Sequence, residues 1–498
     1  MTVQTETAAS GADRSREIRL VFLGLMIVMG LTAIDQSIVA TALPRIVADL
    51  GGVSHLSWVV TAYVLASTAT MPLYGKLSDQ HGRKPMLYVA ILTFLLGSVL
   101  CGLSQDLTQL IVFRAIQGLG AGGLLPLAQI VIGDLVTPAE RGRRQGMIAA
   151  VFAVCSVLGP VLGGVITDLL SWHWIFYVNL PVGAVGMAVI ARALTHTPPH
   201  RARRIDYLGS ALLTIATTAF LLVLALGGTT WPWRSPELIG TAALAFVTTA
   251  LFIWHVRRVP EPVLPLDLFR NRLFVIASMV MALTFVGLMG SSVFFPLFFQ
   301  VVMGVTPSHS GFLTGTLMIG LVCSSMLNGR VLMKYGRYKP AQVAGLTLAV
   351  IAFAVLAWAA ATAQSLFVIE PAMIALGFGL GLVMPNMTIA VQNALPLAHR
   401  GVGTATLSFF RSLGGLLGVT GSGAILAAQL HGAASDIATS ADTGLQTLSK
   451  LAPSMQDEII DLYRHAIAMT FISGVCIVAA ALIVLLFLPE LPLEGRKA

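Results

Sequence analysis

The stretch Gly75-Lys76-Leu77-Ser78-Asp79-Gln80-His81-Gly82-Arg83-Lys84-Pro85 lies between two apolar runs of the chain. A related stretch begins 254 residues later and reads Gly329-Arg330-Val331-Leu332-Met333-Lys334-Tyr335-Gly336-Arg337, with Met333 in place of the acid. Repeated loops of this kind are typical of membrane transporters that contain two related halves. The repeat therefore predicts a duplicated membrane protein.

The composition supports a membrane protein, because 56% of the 498 residues are hydrophobic and only 10% are charged. The charges fall in short clusters, and the apolar runs between them are about 18 to 28 residues long, enough for helices that cross a hydrocarbon core of ~30 Å. The four cysteines lie inside these runs without any CxxC pair. Neither a disulfide framework nor a metal site is therefore expected.

We predict an all-α polytopic membrane protein with fourteen transmembrane helices. An uncharged run between Arg272 and Arg330 is too long for one span, and residues 306–308 supply a break within it. The predicted spans lie near residues 19–42, 55–75, 86–104, 108–132, 146–167, 173–194, 207–227, 237–255, 274–300, 310–333, 341–361, 365–389, 402–429 and 467–488.

The distribution of cations orients these spans. With the N-terminus inside, 24 of the 30 Lys and Arg residues lie in inner segments, four lie in outer segments, and Arg114 and Arg411 lie within spans. The positive-inside rule then places both termini in the cytoplasm of a multi-pass protein of the inner (plasma) membrane. This placement explains the net charge of +8 without a nucleic-acid partner.

The position of the repeat predicts two six-helix halves separated by two inserted helices. The predicted segments are a cytoplasmic tail 1–18, an N-terminal half 19–194, a linker with two inserted helices 195–272, a C-terminal half 273–488 that includes an external loop 430–466, and a cytoplasmic tail 489–498.

Five stretches together carry a family resemblance. Besides residues 75–83 they are Leu31-Thr32-Ala33-Ile34-Asp35-Gln36-Ser37-Ile38-Val39-Ala40-Thr41-Ala42-Leu43-Pro44, Arg114-Ala115-Ile116-Gln117-Gly118, Gly159-Pro160-Val161-Leu162-Gly163-Gly164 and Trp172-His173-Trp174-Ile175-Phe176-Tyr177-Val178-Asn179-Leu180-Pro181. On these stretches, and over nearly its whole length, the chain resembles the fourteen-span drug:proton antiporter family of the major facilitator superfamily. Cys155 departs from the Gly that is usual in that family, and His173 departs from the usual Arg.

The resemblance implies a multidrug efflux protein, not an enzyme, that exports lipophilic, cationic drugs or toxic compounds by alternating access and contributes to antibiotic resistance. Its partners would be a small lipophilic substrate, protons and the lipid bilayer, and it would need the proton gradient but no cofactor. A transporter of a single endogenous metabolite is the alternative. A membrane acyltransferase is a third class, although no HxxxxD motif lies in a loop. Substrate, proton stoichiometry and oligomeric state stay open, with a monomer among the possibilities.

Asp35 is the sharpest single signal, because an acid inside a span costs at least about 2.5 kcal/mol on insertion scales. It lies 16 residues, or ~24 Å, from Arg19, while Arg114 lies 20 residues, or ~30 Å, from Asp134 on an oppositely directed span. The two groups are thus expected at similar depths. They form either a static ion pair between helices or, as the resemblance implies, a proton-coupling and substrate-recognition site.

Three further polar residues lie within spans. Gln117 shares a helix face with Arg114 and could bind substrate or water, or serve structure alone. Arg411, about ten residues into its span, is expected to line the transport cavity, with snorkelling to water as the alternative. Glu370 is closer to the outer surface, where it is either an interfacial carboxylate or a second proton carrier.

The loop 75–85 predicts a conformational latch. Gly75 would let its helix pack closely, Gly82 would allow a tight turn, and Asp79 would pair with Arg83 or with Arg141 across the inner mouth. Such a latch would favour the outward-open state. The alternative is a loop that only follows the positive-inside rule.

Glycines within spans have a packing explanation. Gly159, Gly163 and Gly164 would let helices approach closely, and Pro160 would disturb the helix beside them. In the family that this chain resembles, the same motif marks exporters. The glycine clusters 118–123 and 377–381 follow no strand and no GxxxxGK[ST] motif occurs, so no nucleotide partner is expected.

Overall fold

The computed structural model describes residues 2–50, 56–136, 138–194, 206–227, 231–260, 262–292, 294–305, 307–431 and 453–491. Regular structure in these ranges is helical, apart from one isolated bridge between Gly227 and Trp231. The prediction of an all-α fold is therefore confirmed for the part of the chain described.

The α-helices are α1 (Thr2–Leu50), α2 (Leu56–His81), α3 (Arg83–Gly102), α4 (Leu107–Leu135), α5 (Pro138–Leu169), α6 (Trp174–Tyr177), α7 (Asn179–Ala193), α8 (Tyr207–Leu226), α9 (Pro236–Val256), α10 (Arg272–Ser292), α11 (Phe294–Leu297), α12 (Pro307–Tyr335), α13 (Lys339–Ala361), α14 (Leu366–Ala394), α15 (Leu397–His431) and α16 (Pro453–Leu486). A 3₁₀-helix Leu266–Arg270 precedes α10, and a π-helical turn Phe298–Val302 follows α11. The predicted break near residue 306 is thus present.

Twelve candidate membrane spans occur in the described ranges, each long and apolar enough to cross a bilayer. The other two predicted spans coincide with α2 and α5, which are not among the twelve. The twelve were found among the described residues alone, and several side chains of α2 and α5 lie outside them. The count of fourteen is accordingly not confirmed.

One compact unit contains residues 1–223, 239–268 and 394–409. Within it, α2 and α3 pack against α4, and α1 packs against α5 and α7. The helices α2 and α4 approach closely at Gly122. A side chain at this position would collide with the Ser67 carbonyl and the Thr70 hydroxyl. Only glycine fits at that position.

The second unit contains residues 224–238, 269–393 and 410–498. Here α16 packs against α13 and α10. Gly377 of α14 faces the Leu317 carbonyl of α12 so closely that a side chain at this position would collide with backbone. Backbone-to-backbone contact through glycine thus occurs in both units.

Two lysines that follow the repeated loops make the same kind of contact with a helix C-terminus. Lys84 Nζ donates to the carbonyls of Ala191 and Leu194 at the end of α7, at 2.8 and 2.7 Å. Lys339 Nζ donates to the carbonyls of Leu486 and Leu488 at the end of α16, both at 2.8 Å. Each cation satisfies carbonyl groups at a helix C-terminus, which supports the internal repeat.

Candidate functional site

A buried ion pair joins α1 to α4 within the first unit. Arg114 Nη1 donates to Asp35 Oδ2 at 2.7 Å, and the two side chains are 1% and 0% exposed. The structure thus brings together the two charges that the sequence placed at similar depths. A carboxylate and a guanidinium so deeply buried are stable only when each has charged and hydrogen-bonding partners.

Two amide side chains complete the surroundings of the carboxylate. Asp35 Oδ1 accepts hydrogen bonds from Gln117 Nε2 and from Asn179 Nδ2, both at 2.8 Å. Gln117 Oε1 in turn accepts from Arg114 Nη1. Asp35 therefore accepts three hydrogen bonds, two from α4 and one from α7.

Ser98 of α3 links the two amides. Its Oγ accepts from Gln117 Nε2 at 2.8 Å and from Asn179 Nδ2 at 3.2 Å, and it donates to the Phe94 carbonyl at 3.0 Å. The resulting polar cluster, which consists of Asp35, Ser98, Arg114, Gln117 and Asn179, connects α1, α3, α4 and α7.

Aromatic rings and a backbone carbonyl surround the cation. Arg114 Nε donates to the Val59 carbonyl at 3.2 Å, and the guanidinium carbon lies 4.2 Å from the centroid of the Tyr63 ring. The Phe176 ring is 5.9 Å away. The negative face of an aromatic ring attracts a cation, so these contacts help Arg114 to stay charged inside the protein.

Sequence reasoning missed Ser98, Tyr63 and Asn179 as members of the site. Asn179 offered a signal, because it is an amide inside a predicted apolar span and belongs to a motif that carries the family resemblance. Ser98 and Tyr63 offered none, since both residue types are common in membrane helices and only tertiary packing places them here.

Arg411 belongs to the second unit, where it is half-buried on α15. Its guanidinium carbon lies 5.4 Å from the centroid of the Phe285 ring, and it forms no ion pair or hydrogen bond with any described residue. Glu370 is half-buried on α14 and likewise makes neither kind of contact within the described ranges. Asp35 therefore has far more partners than either residue.

The loop motif forms a tight ionic contact in the first unit. Asp79 Oδ1 accepts from Arg83 Nη1 at 2.6 Å, and Arg83 Nε donates to Asp134 of α4 at 3.1 Å. Gly82 has a φ of 92°, the left-handed conformation that its tight turn requires. Of the two partners predicted for Asp79, Arg83 is present, and the side chain of Arg141 lies outside the described residues.

Asp79 has a further partner that sequence reasoning did not anticipate. Its Oδ2 accepts from the backbone N–H of Val402, in the first turns of α15, at 2.9 Å. Gly75 makes this approach possible, because a side chain there would meet Ala405 and the Gly401 carbonyl. Asp79 thus connects α2 to α15.

The glycine motif of α5 has different environments along its length. Side chains at Gly159 and Gly163 would meet Ser37 and Thr41 of α1, whereas Gly164 has open space around it. The side chain of Pro160 lies outside the described residues. Ser37 Oγ also donates to the Cys155 carbonyl at 3.1 Å, so Gly159 and Gly163, but not Gly164, support the α1–α5 contact.

The sequence profile described as Major Facilitator Superfamily matches residues 25–419. The chain belongs to this superfamily. Its members are transporters and not enzymes, so the chain is a multi-pass membrane transporter.

Superfamily members in Bacillus subtilis are similar to this chain over most of their length. The multidrug transporter protein MdtP is 34% identical, with 96% of this chain and 94% of that protein covered. Multidrug resistance protein 3 is 36% identical, with 94% and 95% covered.

Solved superfamily structures share the fold at low sequence identity. The proton:xylose symporter XylE aligns with a TM-score of 0.64 at 15% identity, over 96% of this chain and 97% of that one. The human organic anion transporter MFSD10 aligns with a TM-score of 0.60 at 16% identity, over 93% and 99%. At such identities the likeness establishes the fold alone.

Proposed function

We propose that this chain is a proton-coupled antiporter that exports lipophilic, cationic compounds by alternating access. The observation that carries the proposal is the buried Asp35–Arg114 pair, a proton-binding group enclosed within a membrane helix bundle. The names of the two Bacillus relatives, which describe multidrug transport and resistance, support the substrate class. A transporter of one endogenous metabolite is the alternative.

The two charged groups of the pair differ in whether they can change protonation state. A carboxylate can bind a proton, whereas a guanidinium in a protein stays protonated. Asp35 is therefore the group whose charge changes during the cycle, and Arg114 is the fixed charge paired with it. A proton that reaches Asp35 neutralises it and weakens its three hydrogen bonds, which gives the proton a way to change the packing of α1.

The amide of Gln117 is occupied by Arg114, Asp35 and Ser98. We therefore assign Gln117 to the coupling site rather than to direct substrate contact. Arg411 differs, because it is half-buried beside Phe285 without an ion pair in the described part of the chain. We propose that Arg411 lines the substrate path and that the Phe285 ring supplies apolar contact there.

A fourteen-span topology completes the proposal, with α2 and α5 as spans and with α8 and α9 inserted between the two halves. Both termini would be cytoplasmic in the plasma membrane, and the segment 430–466 would be external. The distribution of 24 inner and four outer cations supports this orientation.

Cysteine labelling tests the orientation. In a background that lacks the four native cysteines, a cysteine at position 440 is expected to react with an impermeant maleimide in intact cells. A cysteine at position 200 should react only after permeabilisation. The opposite pattern would overturn the proposed orientation.

Asp79→Asn is expected to lower the transport rate roughly tenfold, since each lost hydrogen bond to a charged group is worth about 1.5–3 kcal/mol. The variant keeps the size of the side chain but weakens its contacts with Arg83 and Val402. Substrate affinity should change little, because the proposed substrate contacts lie elsewhere. Turnover measured at equal expression checks this expectation.

Asp134→Asn is the matched control for the latch. It removes an acid partner of Arg83 but leaves the contact between Asp79 and Val402 intact. An equal loss of turnover in both variants, or no loss in Asp79→Asn, would contradict a latch between α2 and α15.

The proposed function is tested by efflux of a compound panel from cells that lack their own major pumps. Cells that express the chain should accumulate less of several lipophilic cations, and a protonophore should remove the difference. Export of a single metabolite would favour the alternative. Export that persists after the proton gradient has collapsed would contradict proton coupling.

A further inference from the structure

We propose that Asn179 is a positioning residue through which the protonation state of Asp35 controls the contact between α1 and α7. The inference rests on the proposed proton coupling at Asp35 and adds the element that responds to it. Asn179 is 1% exposed and stands at the first residue of α7.

The geometry makes Asn179 sensitive to the charge of Asp35. Asn179 Nδ2 donates to Asp35 Oδ1 at 2.8 Å and to Ser98 Oγ at 3.2 Å. A hydrogen bond to a carboxylate is about twice as strong as one to a neutral acceptor. When Asp35 binds a proton, the bond to Asn179 therefore loses its charge assistance, and it is weakest if Oδ1 carries the proton.

The rest of the α1–α7 interface is apolar within the described residues. Gly24 of α1 faces Ile190, and Gly186 of α7 faces Val28. No other hydrogen bond or ion pair joins the described side chains of these two helices. Among the described side chains, the Asn179–Asp35 bond is therefore the polar restraint on the relative position of these two helices.

The α4 contacts of Asp35 differ from this single restraint. Arg114 and Gln117 both bind the carboxylate from α4, and Arg114 is fixed in addition by the Val59 carbonyl. Protonation of one oxygen leaves the other oxygen available to α4. We therefore expect α7, rather than α4, to separate from α1 when Asp35 is neutralised.

Asn179→Leu removes the donor at nearly constant volume, and Asn179→Ala removes it without any risk of overpacking. Loss of a donor to the ionised form makes that form less stable. In purified protein, we expect the pH of half-maximal substrate-induced proton release to rise by roughly one unit. Asn179→Ser, which retains a donor, should recover part of the shift.

A second readout follows the helices directly. Spin labels at Leu23 and Val185, both about half exposed on α1 and α7, report the distance between these helices. In the wild type this distance should depend on pH with the same midpoint as proton release. In Asn179→Ala it should lose that dependence.

Tyr177→Phe is the matched control, because it removes a hydrogen bond from the same segment to the Gly102 carbonyl and does not touch Asp35. It should leave the pH midpoint unchanged. An unshifted midpoint in both Asn179→Leu and Asn179→Ala, or an equal shift in Tyr177→Phe, would overturn the inference. Absence of substrate-induced proton release in the wild type would instead overturn the proposed function.

Discussion

Asp35→Asn is expected to reduce proton-driven export to background. Asparagine has nearly the same shape as aspartate but cannot bind the transported proton. The proton gradient can then no longer drive export. Asp35→Glu keeps the carboxylate and should retain part of the activity. The measurement is proton release on substrate addition, made on detergent-purified protein that elutes as a single species.

Glu370→Gln is the control for this experiment, since it removes a half-buried carboxylate that has no hydrogen bond or ion pair in the described ranges. It should release protons like the wild type. Normal release from well-folded Asp35→Asn would contradict the assignment of Asp35 and shift the proton-carrying role to Glu370.

We expect substitutions of Asp35 and Arg114 to lower the thermal stability of the protein by different amounts. Asp35→Asn leaves Arg114 as a buried cation that cannot lose its charge, at a cost of about 3 kcal/mol. Arg114→Gln leaves a carboxylate that can become neutral by binding a proton, so its cost should be smaller. Thermal unfolding in detergent should therefore rank Asp35→Asn below Arg114→Gln.

The double variant Asp35→Asn with Arg114→Gln separates stability from coupling. It has no buried charge at this site, and its thermal stability should approach that of the wild type. Proton-driven export should remain absent, because no carboxylate is left. Equal losses in the two single variants, or a double variant as unstable as Asp35→Asn, would mean that the pair does not govern stability.

The sequence predicted the ion pair for a physical reason that can be traced. Charges inside spans are rare and costly, and a helix rises ~1.5 Å per residue, so depth along a span can be read from position alone. This calculation predicted that Asp35 and Arg114 lie at the same depth in the membrane. Their distance of 2.7 Å agrees with it.

Other contacts could not be predicted in this way because they depend on how helices rotate about their axes. Ser98 and Asn179 meet Asp35 only because α3 and α7 turn those faces toward α1. The partner of Asp79 on Val402 is a backbone N–H group, so the residue type at position 402 gives no indication of the contact. The two residues are also more than 300 positions apart in the sequence.

The most direct test of proton-coupled export uses purified protein in liposomes with an imposed pH gradient, inside acidic, and ethidium as a planar lipophilic cation. We expect ethidium to accumulate in vesicles that contain the wild type inserted in both orientations. Addition of a protonophore should release the accumulated ethidium. Vesicles with Asp35→Asn should not accumulate it. Accumulation by the wild type that is unaffected by the gradient, or equal accumulation by Asp35→Asn, would contradict proton coupling through Asp35.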